Sequence, residues 1–322
     1  VHHYVLPVHS KNFFNMRFVA KKINYIIKEN NINLLHVRSR APAWLLPYIN
    51  KKNIKTISTF HNVYGNDNFL KKIYNKGLTK VDYIVAISKY VKDEIITHYN
   101  IDPKKITIIN RGIDTVFFED NIEESSLVNF LKKIKLPADK KIILYPGRLT
   151  EWKGQAEFLD IVEKFKDKPY VFYFVGDDKK NNYTNNLIAK IKKRKISNCC
   201  KILGHLKREH LKIMYKFSDL VISAPLKPEG FGRAISEALA MKKIILAYNY
   251  GGVKNQLDGL NEIYKINPLN QDELIKKIKF VLDSTSLNFD QIKEIGREHV
   301  IKNFSKTKML NEYLKLYERI SS

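Results

Sequence analysis

Two glutamates flank a glycine-bearing turn in the second half of the chain. Glu229 and Glu237 are separated by seven residues, and Gly230-Phe231-Gly232 follows the first of them. The apolar, β-branched run 220–224 predicts a buried strand before this turn, and the apolar spacing of 233–241 predicts a helix after it. A strand, a glycine-bearing loop and a helix together direct backbone N–H groups and the positive end of a helix dipole at an anion, for which we favour a diphosphate.

The two glutamates need partners other than phosphate, because two acids beside a phosphate repel it. Hydroxyl groups are suitable donors to carboxylates, and a sugar and a ribose carry many of them. A second loop, 146–154, follows the predicted strand 141–145 and contains Arg148 and Lys153. Arg148 offers a rigid fork for phosphate oxygens, and Lys153 offers a mobile charge that neutralises a departing diphosphate. These loops predict a site for a nucleoside diphosphate sugar.

Three motifs resemble those of the family 4 retaining glycosyltransferases, which have the GT-B fold. Residues 147–154 match that family's Gly-Arg-Leu-x-x-x-Lys-Gly signature without departure. The Glu-x7-Glu pattern that starts at Glu229, and the stretch Asn110-Arg111-Gly112-Ile113-Asp114, are similar to two further motifs of the family. The resemblance covers essentially the whole chain. It implies a bacterial enzyme of the lipopolysaccharide or lipid-glycan type that retains the anomeric configuration of the donor sugar.

The resemblance also implies which residues act. Catalytic roles fall to His61, Arg148, Lys153 and Glu229. Donor binding falls to Gly147, Arg148, Lys153, His205, Glu229, Gly230, Phe231, Gly232 and Glu237. In these roles the two cations hold the diphosphate and stabilise it as leaving group, and Glu229 holds the donor sugar with the N–H groups of 230–232. Glu237 accepts from the ribose, His205 contacts the base, and His61 faces the donor sugar and the acceptor from the opposite domain.

Neither a metal ion nor a cofactor is expected. The resemblance implies metal-independent transfer from a donor linked to UDP or GDP, and no Asp-x-Asp stands at a predicted strand end. Arg148 and Lys153 can supply the charge that Mg²⁺ would otherwise give. We favour a front-face reaction, in which the leaving phosphate takes the proton of the acceptor, because no carboxylate is obviously placed as a nucleophile.

Strands and helices alternate along the chain and predict an α/β fold. The resemblance implies two Rossmann-like domains that face each other across a cleft. We expect an acceptor-side domain in 1–118, a linker in 119–139, a donor domain in 140–303 and a final helix, 304–322, that crosses back to the first domain. Residues 1–8 predict a strand without a starting Met, so we also expect that the first βα unit of the fold is missing.

Three smaller features have structural interpretations. His36 lies inside the predicted strand 33–38 and is expected to be structural, whereas His61 follows the predicted strand 55–60, where function is expected. Cys199 and Cys200 are adjacent, which excludes a disulfide framework and favours two buried residues in a reducing cytoplasm. Residues 68–80 mix aromatic residues with lysines, so they either lie on an anionic membrane or form a solvated helix whose aromatic residues pack inward.

The charge balance indicates an anionic partner but does not identify it. The chain has 57 Lys and Arg against 33 Asp and Glu, a net charge of +24, and part of this excess is explained by a coding bias towards A and T. We expect a glycan or lipid-linked acceptor at the cytoplasmic face of the inner membrane. Competing hypotheses are a sugar-nucleotide epimerase, an inactive or truncated remnant of a GT-B enzyme, and a basic nucleic-acid-binding protein. The chain has no recognisable nucleic-acid motif to support the last of these.

Overall fold

The computed structural model describes residues 2–9, 12–64, 69–177, 182–284 and 289–321. The chain forms two compact units, Val1–Arg111 with Thr307–Ser322 and Gly112–Lys306, which we name the first and the second unit. Each unit has its own parallel β-sheet, with helices in the connections between its strands. The predicted α/β class is therefore confirmed. No helix within the described ranges is long and apolar enough to cross a membrane.

The first unit has a four-stranded sheet whose spatial order follows the chain, β1-β2-β3-β4. The strands are β1 (Leu34–Val37), β2 (Lys55–Phe60), β3 (Tyr83–Ala86) and β4 (Ile106–Ile108). The helices are α1 (Phe13–Glu29), α2 (Arg40–Ala43), α3 (Phe69–Lys76) and α4 (Lys89–Tyr99). All the strand pairs are parallel, so the segments that follow the strands lie at one edge of the sheet.

The second unit has a six-stranded parallel sheet. Its strands are β5 (Lys141–Pro146), β6 (Tyr170–Val175), β7 (Cys200–Gly204), β8 (Leu220–Ser223), β9 (Ile245–Tyr248) and β10 (Lys265–Ile266). Its helices are α5 (Glu124–Ile134), α6 (Gln155–Lys164), α7 (Asn182–Lys193), α8 (Arg208–Phe217), α9 (Arg233–Ala240), α10 (Gly252–Leu257), α11 (Gln271–Asp283) and α12 (Asp290–Phe304). The two cysteines are buried at the start of β7, as predicted.

The strand order of this second sheet is β10-β9-β8-β5-β6-β7. The chain adds strands on one side of β5 as far as β7, then returns to place β8 on the other side, where Ile143 pairs with Leu220 and Leu144 with Val221. This reversal makes a switch point between β5 and β8. In open parallel sheets, ligands bind in the crevice outside the carboxyl ends of the two strands at such a point. The loops that follow β5 and β8 are the two from which we predicted the site.

The last helix, α13 (Lys306–Ser321), joins the core of the first unit. Tyr313, Leu316 and Ile320 of this helix cluster with Ile57 and Val85 of the sheet and with Ile109, which follows β4. Polar contacts add to this packing, because the hydroxyl of Tyr317 lies 2.6 Å from Nδ1 of His36. The other ring nitrogen of His36 lies 2.7 Å from the Thr59 hydroxyl. The predicted return of the final helix and the structural role of His36 are both confirmed.

The opening apolar run is not the strand that we predicted. Residues 2–9 form no strand. They contain a turn in which the Val8 N–H donates to the Leu6 carbonyl with an N–O distance of 2.8 Å. A strand needs hydrogen-bond partners along its backbone, and in the described residues β1 pairs with β2. Val5 is largely exposed, so the run adds little to the core. The prediction relied on apolar composition, which does not show whether a neighbouring strand is available to pair with the segment.

Residues 119–139, for which we predicted a linker, contain helix α5 and belong to the second unit. The acids of this segment include Glu123 and Glu124, which lie at the start of the helix. Negative charges are favourable at that end because they interact with the helix dipole. The helix is anchored by Phe130, which is buried and whose ring stacks 4.5 Å from the ring of His210 on α8.

Helix α3, in the lysine-rich stretch, divides its aromatic residues between the interior and the surface. Tyr74 stacks on Trp44 with their ring centroids 5.9 Å apart. Phe69 and Leu70, in contrast, are 76% and 75% exposed. The expectation that the aromatic residues pack inward therefore holds for Tyr74 and is wrong for Phe69. Asn68, which we included in this stretch, lies outside the described residues.

Candidate functional site

The two loops at the switch point bring a lysine and a glutamate into contact. Lys153 ends a short 3-10 turn after β5, and Glu229 lies in the loop after β8. Their side chains form an ion pair between Nζ and Oε1, and they are only 16% and 8% exposed. Each charge compensates the other, which makes the burial of both tolerable. The sequence indicated both residues, but it assigned them to different parts of the ligand and did not predict that they pair.

Backbone contacts hold the two loops against each other. The buried hydroxyl of Tyr145, at the end of β5, donates to the carbonyl of Lys153 at 2.5 Å and accepts from the N–H of Ala224 at 3.2 Å. Gly154 has φ of 77°, and a Cβ at this position would lie 2.6 Å from the carbonyl oxygen of Ala224. Only glycine fits this backbone conformation and this spacing without strain. The glycine that ends the 147–154 motif therefore has a packing role.

Two further glycines allow backbone segments to approach the predicted site residues. A Cβ on Gly176, after β6, would lie 1.8 Å from the carbonyl oxygen of Gly147. A Cβ on Gly252, at the start of α10, would lie 2.1 Å from the carbonyl oxygen of Gly230. The N–H of Gly252 also donates to the carbonyl of Glu229 at 2.7 Å. The positions of Gly147, Glu229 and Gly230 are thus fixed by contacts that a side chain would prevent.

Arg148 and Lys153 share an aromatic neighbour. The guanidinium carbon of Arg148 lies 5.7 Å from the centre of the Trp152 indole, and Nζ of Lys153 lies 4.7 Å from it. Arg148 is exposed, and its carbonyl accepts from the side-chain amide of Gln155 at 3.0 Å. The two predicted phosphate ligands therefore lie on the same indole ring. Trp152, which the motif leaves unspecified, places a fluorescent group beside both of them.

The N–H of Gly232 is not available to a sugar, contrary to our prediction. It donates to Oε1 of Gln256 at 2.9 Å, and the amide of Gln256 donates back to the Gly232 carbonyl at 3.2 Å. The ring of the neighbouring Phe231 is buried and lies 5.7 Å from the ring of Phe304. Gly232 and the Phe231 side chain therefore shape the loop. No local pattern indicates Gln256, which lies in α10, 24 residues further along the chain.

Glu237 is buried on α9 and already has two partners. Its Oε1 accepts from Arg233 at 2.9 Å, and its Oε2 accepts from the hydroxyl of Tyr215 at 3.1 Å. Burial raises the pKa of Glu237 above its ordinary value, while Arg233 and Tyr215 act in the opposite direction. A carboxylate has about four acceptor positions, so lone pairs remain for further donors. The spacing of Arg233 and Glu237, one turn of helix apart, was a signal for this pair that we missed.

Three buried polar atoms lack hydrogen-bond partners in the part of the chain that the structure describes. They are Thr150 Oγ1, Gln155 Oε1 and Asn249 Oδ1. Thr150 and Gln155 follow β5, and Asn249 follows β9, so all three lie beyond the carboxyl ends of strands in this one sheet. Buried polar atoms without partners are rare and often indicate where a ligand or a water molecule binds. Here they fall on the side of the sheet that carries the predicted site.

The two predicted site histidines follow strands of different sheets. His205 is exposed directly after β7, in the second unit, where the carbonyl of its neighbour Gly204 accepts from Gly176 N–H at 2.9 Å. His61 belongs to the first unit and follows β2. Burial, and then the charges of Arg38 and Arg111, lower the pKa of His61 to about 4, so that it is neutral near pH 7. Within the described ranges, no group of three or more His, Cys, Asp or Glu side chains has the arrangement of a metal site.

The sequence matches two family descriptions. "Glycosyl transferases group 1" matches residues 129–299, which is more than half of the chain. The chain belongs to this family. A second description, "Glycosyltransferase Family 4", matches residues 1–117 of this group 1 transferase. The chain is therefore a glycosyltransferase, as predicted, and neither the nucleic-acid hypothesis nor the remnant hypothesis is favoured.

Relatives of this group 1 transferase cover most of its length. An uncharacterized glycosyltransferase of Methanocaldococcus jannaschii, MJ1069, is 26% identical over 96% of this chain and 80% of its own. The crystal structure of a Rickettsia africae glycosyltransferase has 35% identity and a TM-score of 0.86, and the match covers 99% of this chain and 84% of the other. Anabaena HepE, solved in complex with UDP-glucose, has 18% identity and a TM-score of 0.79, with 94% and 82% covered. These similarities confirm the GT-B type of α/β fold.

Proposed function

We propose that this transferase moves a sugar from a nucleoside diphosphate sugar to a glycan or lipid-linked acceptor. In this proposal the donor is linked to uridine or guanosine, the anomeric configuration is retained, and no metal ion is needed. The observation that carries the proposal is the contact between Lys153 and Glu229 at the switch point of the second sheet. A cation for phosphate and an acid for hydroxyl groups meet there, where a ligand of this fold type binds.

The diphosphate is assigned to Arg148 and Lys153. The exposed guanidinium of Arg148 presents a fork that fits two phosphate oxygens, and Lys153 lies near the same indole ring. Without a donor, the charge of Lys153 is balanced by Glu229. When a diphosphate binds, the lysine has a second anion within reach and Glu229 becomes available to hydroxyl donors. In the donor-free site, the ion pair therefore leaves neither Lys153 nor Glu229 with an unpaired charge.

The sugars at either end of the diphosphate are assigned to the two acids. Glu229, with the backbone of Gly230 and Phe231, holds the donor sugar, and Glu237 accepts from the ribose. Gly232 is removed from this set because its N–H is used by Gln256. His205 remains the candidate for the base, since it is exposed at the carboxyl end of β7, two strands from β5 in the same sheet.

Two observations support a nucleotide-sized ligand at this edge. The unpartnered atoms of Thr150, Gln155 and Asn249 need hydrogen-bond donors from a ligand or water. Relatives of the same fold are described in complex with UDP, among them HepE and Staphylococcus aureus TarM. We therefore place UDP ahead of GDP as the first donor to test.

Positioning and charge stabilisation account for the chemistry. The bond between the anomeric carbon and the diphosphate oxygen breaks, and the acceptor oxygen forms its bond on the same face of the sugar. The acceptor proton passes to the leaving phosphate oxygen, so no protein base is needed. Arg148 and Lys153 stabilise the negative charge that develops on the leaving group, which is the step where fixed charges lower the barrier most. His61, from the first unit, is kept as the residue that faces the acceptor.

A lipid-linked acceptor at the cytoplasmic face of a bacterial membrane is the acceptor that we favour, in the manner of lipopolysaccharide assembly. The net charge of +24 favours an anionic surface. Helix α3 supports this because Phe69, Leu70 and Ile73 are exposed among lysines. Flotation with anionic and with neutral vesicles tests the contact. Equal binding to both kinds of vesicle, or faster transfer to soluble sugars than to membranes, would contradict it.

Donor binding can be measured with Trp152 as the reporter. UDP-, GDP- and ADP-sugars are titrated while the fluorescence and the melting temperature are followed, since binding to the native state raises the latter. We expect a UDP- or GDP-sugar to change both, and Lys153→Ala to abolish both changes. Trp152→Phe should lose the fluorescence change only. The control is Lys141→Ala, because Lys141 lies at the other end of β5 in an exposed pair with Asp219.

Retention and metal independence need separate measurements. The anomeric configuration of the product, read by NMR, should equal that of the donor. Turnover should be the same in EDTA as in Mg²⁺, because the site uses cationic side chains to stabilise the leaving group. An inverted product, or turnover that EDTA removes and Mg²⁺ restores, would overturn these two parts of the proposal while the donor assignment stands.

A further inference from the structure

Three basic side chains lie at the carboxyl edge of the first unit's sheet. Arg38 directly follows β1, His61 directly follows β2, and Arg111 comes shortly after β4. The parallel register pairs Val37 with Ser58 and Ala86 with both Phe60 and Ile108, so the ends of all four strands lie at this edge. The two long arginine side chains follow the outer strands β1 and β4, and the shorter histidine follows β2, which lies between them. This placement lets the three reach a common region.

Contacts with helix α13 support this convergence. The guanidinium carbon of Arg38 lies 5.9 Å from the centre of the Tyr313 ring. The Tyr313 hydroxyl lies 3.1 Å from the hydroxyl of Thr59, two residues before His61 in the chain. Burial raises the pKa of Tyr313, and the charges of Arg38 and Arg111 oppose that rise. Both arginines are therefore close enough to the same ring to act on it.

The charges that act on His61 are positive. After burial, Arg38 and Arg111 are the groups that lower the pKa of its imidazole, and a hydrogen bond to the backbone of Arg38 acts in the opposite direction. Among the described residues of this region, His36 on β1, Tyr64, which hydrogen-bonds to the backbone of His61, and Tyr313 and Tyr317 on α13 are also titratable, and all four are neutral near pH 7. Helix α4 begins after β3, between the strands that carry His61 and Arg111, and adds the positive end of its dipole.

A positive region of this kind, with Arg38 exposed and His61 and Arg111 partly buried, favours an anion. Guanidinium groups bind phosphate through paired hydrogen bonds, and two of them on opposite sides can enclose one phosphate. We propose that Arg38, His61 and Arg111 form a phosphate-binding site in the first unit, which holds a phosphate group of the acceptor. The acceptor role rests on the proposed transfer reaction. The three residues belong to the first unit, whereas the diphosphate loops belong to the second.

The titration of His61 by NMR gives a direct readout. The nine histidine ring signals are recorded over a pH range with and without inorganic phosphate, and His61 is assigned with His61→Gln. A phosphate between the arginines favours the imidazolium, so it raises the pKa of His61 from about 4 towards its ordinary value. His98, which pairs with Glu94 on α4, should give a signal that phosphate does not move.

Variants separate the site from general charge effects. Arg38→Gln and Arg111→Gln should each weaken phosphate binding by about tenfold, as expected for the loss of a charged hydrogen-bond partner. Lys55→Gln is the matched control. Lys55 is exposed at the opposite end of β2, and its substitution removes the same positive charge. An equal loss in Lys55→Gln would overturn the site in favour of a diffuse field.

The donor and the acceptor are distinguished by the probe. Trp152 fluorescence reports UDP binding in the second unit, and it should be unchanged in Arg38→Gln and Arg111→Gln. A His61 signal that phosphate does not move, beside normal UDP binding, overturns this proposal alone. If UDP moves His61 as strongly as phosphate does and the two compete there, the site binds the donor and the acceptor assignment is wrong.

Discussion

The pair formed by Lys153 and Glu229 should be energetically coupled as well as functional. Both side chains are nearly buried, at 16% and 8% exposed. Lys153→Met leaves the carboxylate of Glu229 without its cation in a place that water reaches poorly. Breaking a buried pair by removal of one partner costs roughly 3–5 kcal/mol. Because Lys153 keeps some exposure, we take the lower limit and expect Lys153→Met to reduce the free energy of unfolding by about 3 kcal/mol.

The double variant tests the reason for that loss. Glu229→Gln in the Lys153→Met background removes the unpaired charge, so the double variant should be more stable than Lys153→Met alone, with a coupling energy of about 2 kcal/mol. The measurement is urea and thermal unfolding followed by tryptophan fluorescence, with Trp44 replaced by Phe in every variant so that Trp152 of the second unit is the reporter. For a unit of this size, 1 kcal/mol corresponds to about 2–4 °C, so the single variant should melt about 6–12 °C lower. Donor binding should be absent in both variants, although stability is partly recovered in one.

Lys141→Met is the matched control for this cycle. Its pair with Asp219 has an N–O distance of 3.4 Å, and the two side chains are 53% and 35% exposed. An exposed pair of this kind contributes about 0–1 kcal/mol. If Lys153→Met is as stable as Lys141→Met, or if the effects of the two substitutions at 153 and 229 simply add, the pair is not coupled. Our account of the ligand-free site would then be refuted.

Three further predictions follow from individual contacts. Gly176→Ala places a Cβ 1.8 Å from the carbonyl oxygen of Gly147 and should cost more than 2 kcal/mol in urea unfolding, whereas Gly259→Ala, which has φ of 74° and open space, should cost about 1 kcal/mol. Because burial raises the pKa of Glu237, wild-type donor affinity should fall as the pH drops towards that raised value, while Glu237→Gln should bind with a flat pH profile. Burial lowers the pKa of His36 from 6.5 in the unfolded chain to about 4 in the folded protein, so between these pH values the unfolded chain binds the proton and the folded protein does not. The free energy of unfolding should therefore fall as the pH drops below about 6.5, and it should fall less in His36→Gln.

The sequence identified the loops of the second unit because their motifs carry local requirements. The glycines of the 147–154 motif mark places where the backbone turns or meets another segment, and Gly154 shows this directly through its φ of 77°. Residue type then indicated the chemistry of Arg148, Lys153 and Glu229. Local requirements of this kind can be recognised without knowledge of which strands are neighbours.

The interactions that we missed depend on residues far apart in the chain. Lys153 and Glu229 are 76 residues apart, and Gly232 and Gln256 are 24 apart. Their contact is decided by the strand order and by the packing of α10, which no local pattern specifies. The linker error has a different cause, because acids at a helix start and acids in a loop give the same composition. The packing of Phe130 against α8, which no local composition specifies, favours the helix.

Strand order, more than motif, makes the two loops of the second unit into one site. Neighbouring strands lie about 4.8 Å apart, so the loops after β5 and β8 meet because these strands are adjacent. Had β8 added beyond β7, the loops would be about three strand spacings apart, roughly 14 Å, and the Lys153 and Glu229 side chains could not pair. In the first unit β1 and β4 are separated by that same number of spacings. A shared site there needs long side chains after the two outer strands. Arg38 follows β1 and Arg111 follows β4, so both ends supply an arginine.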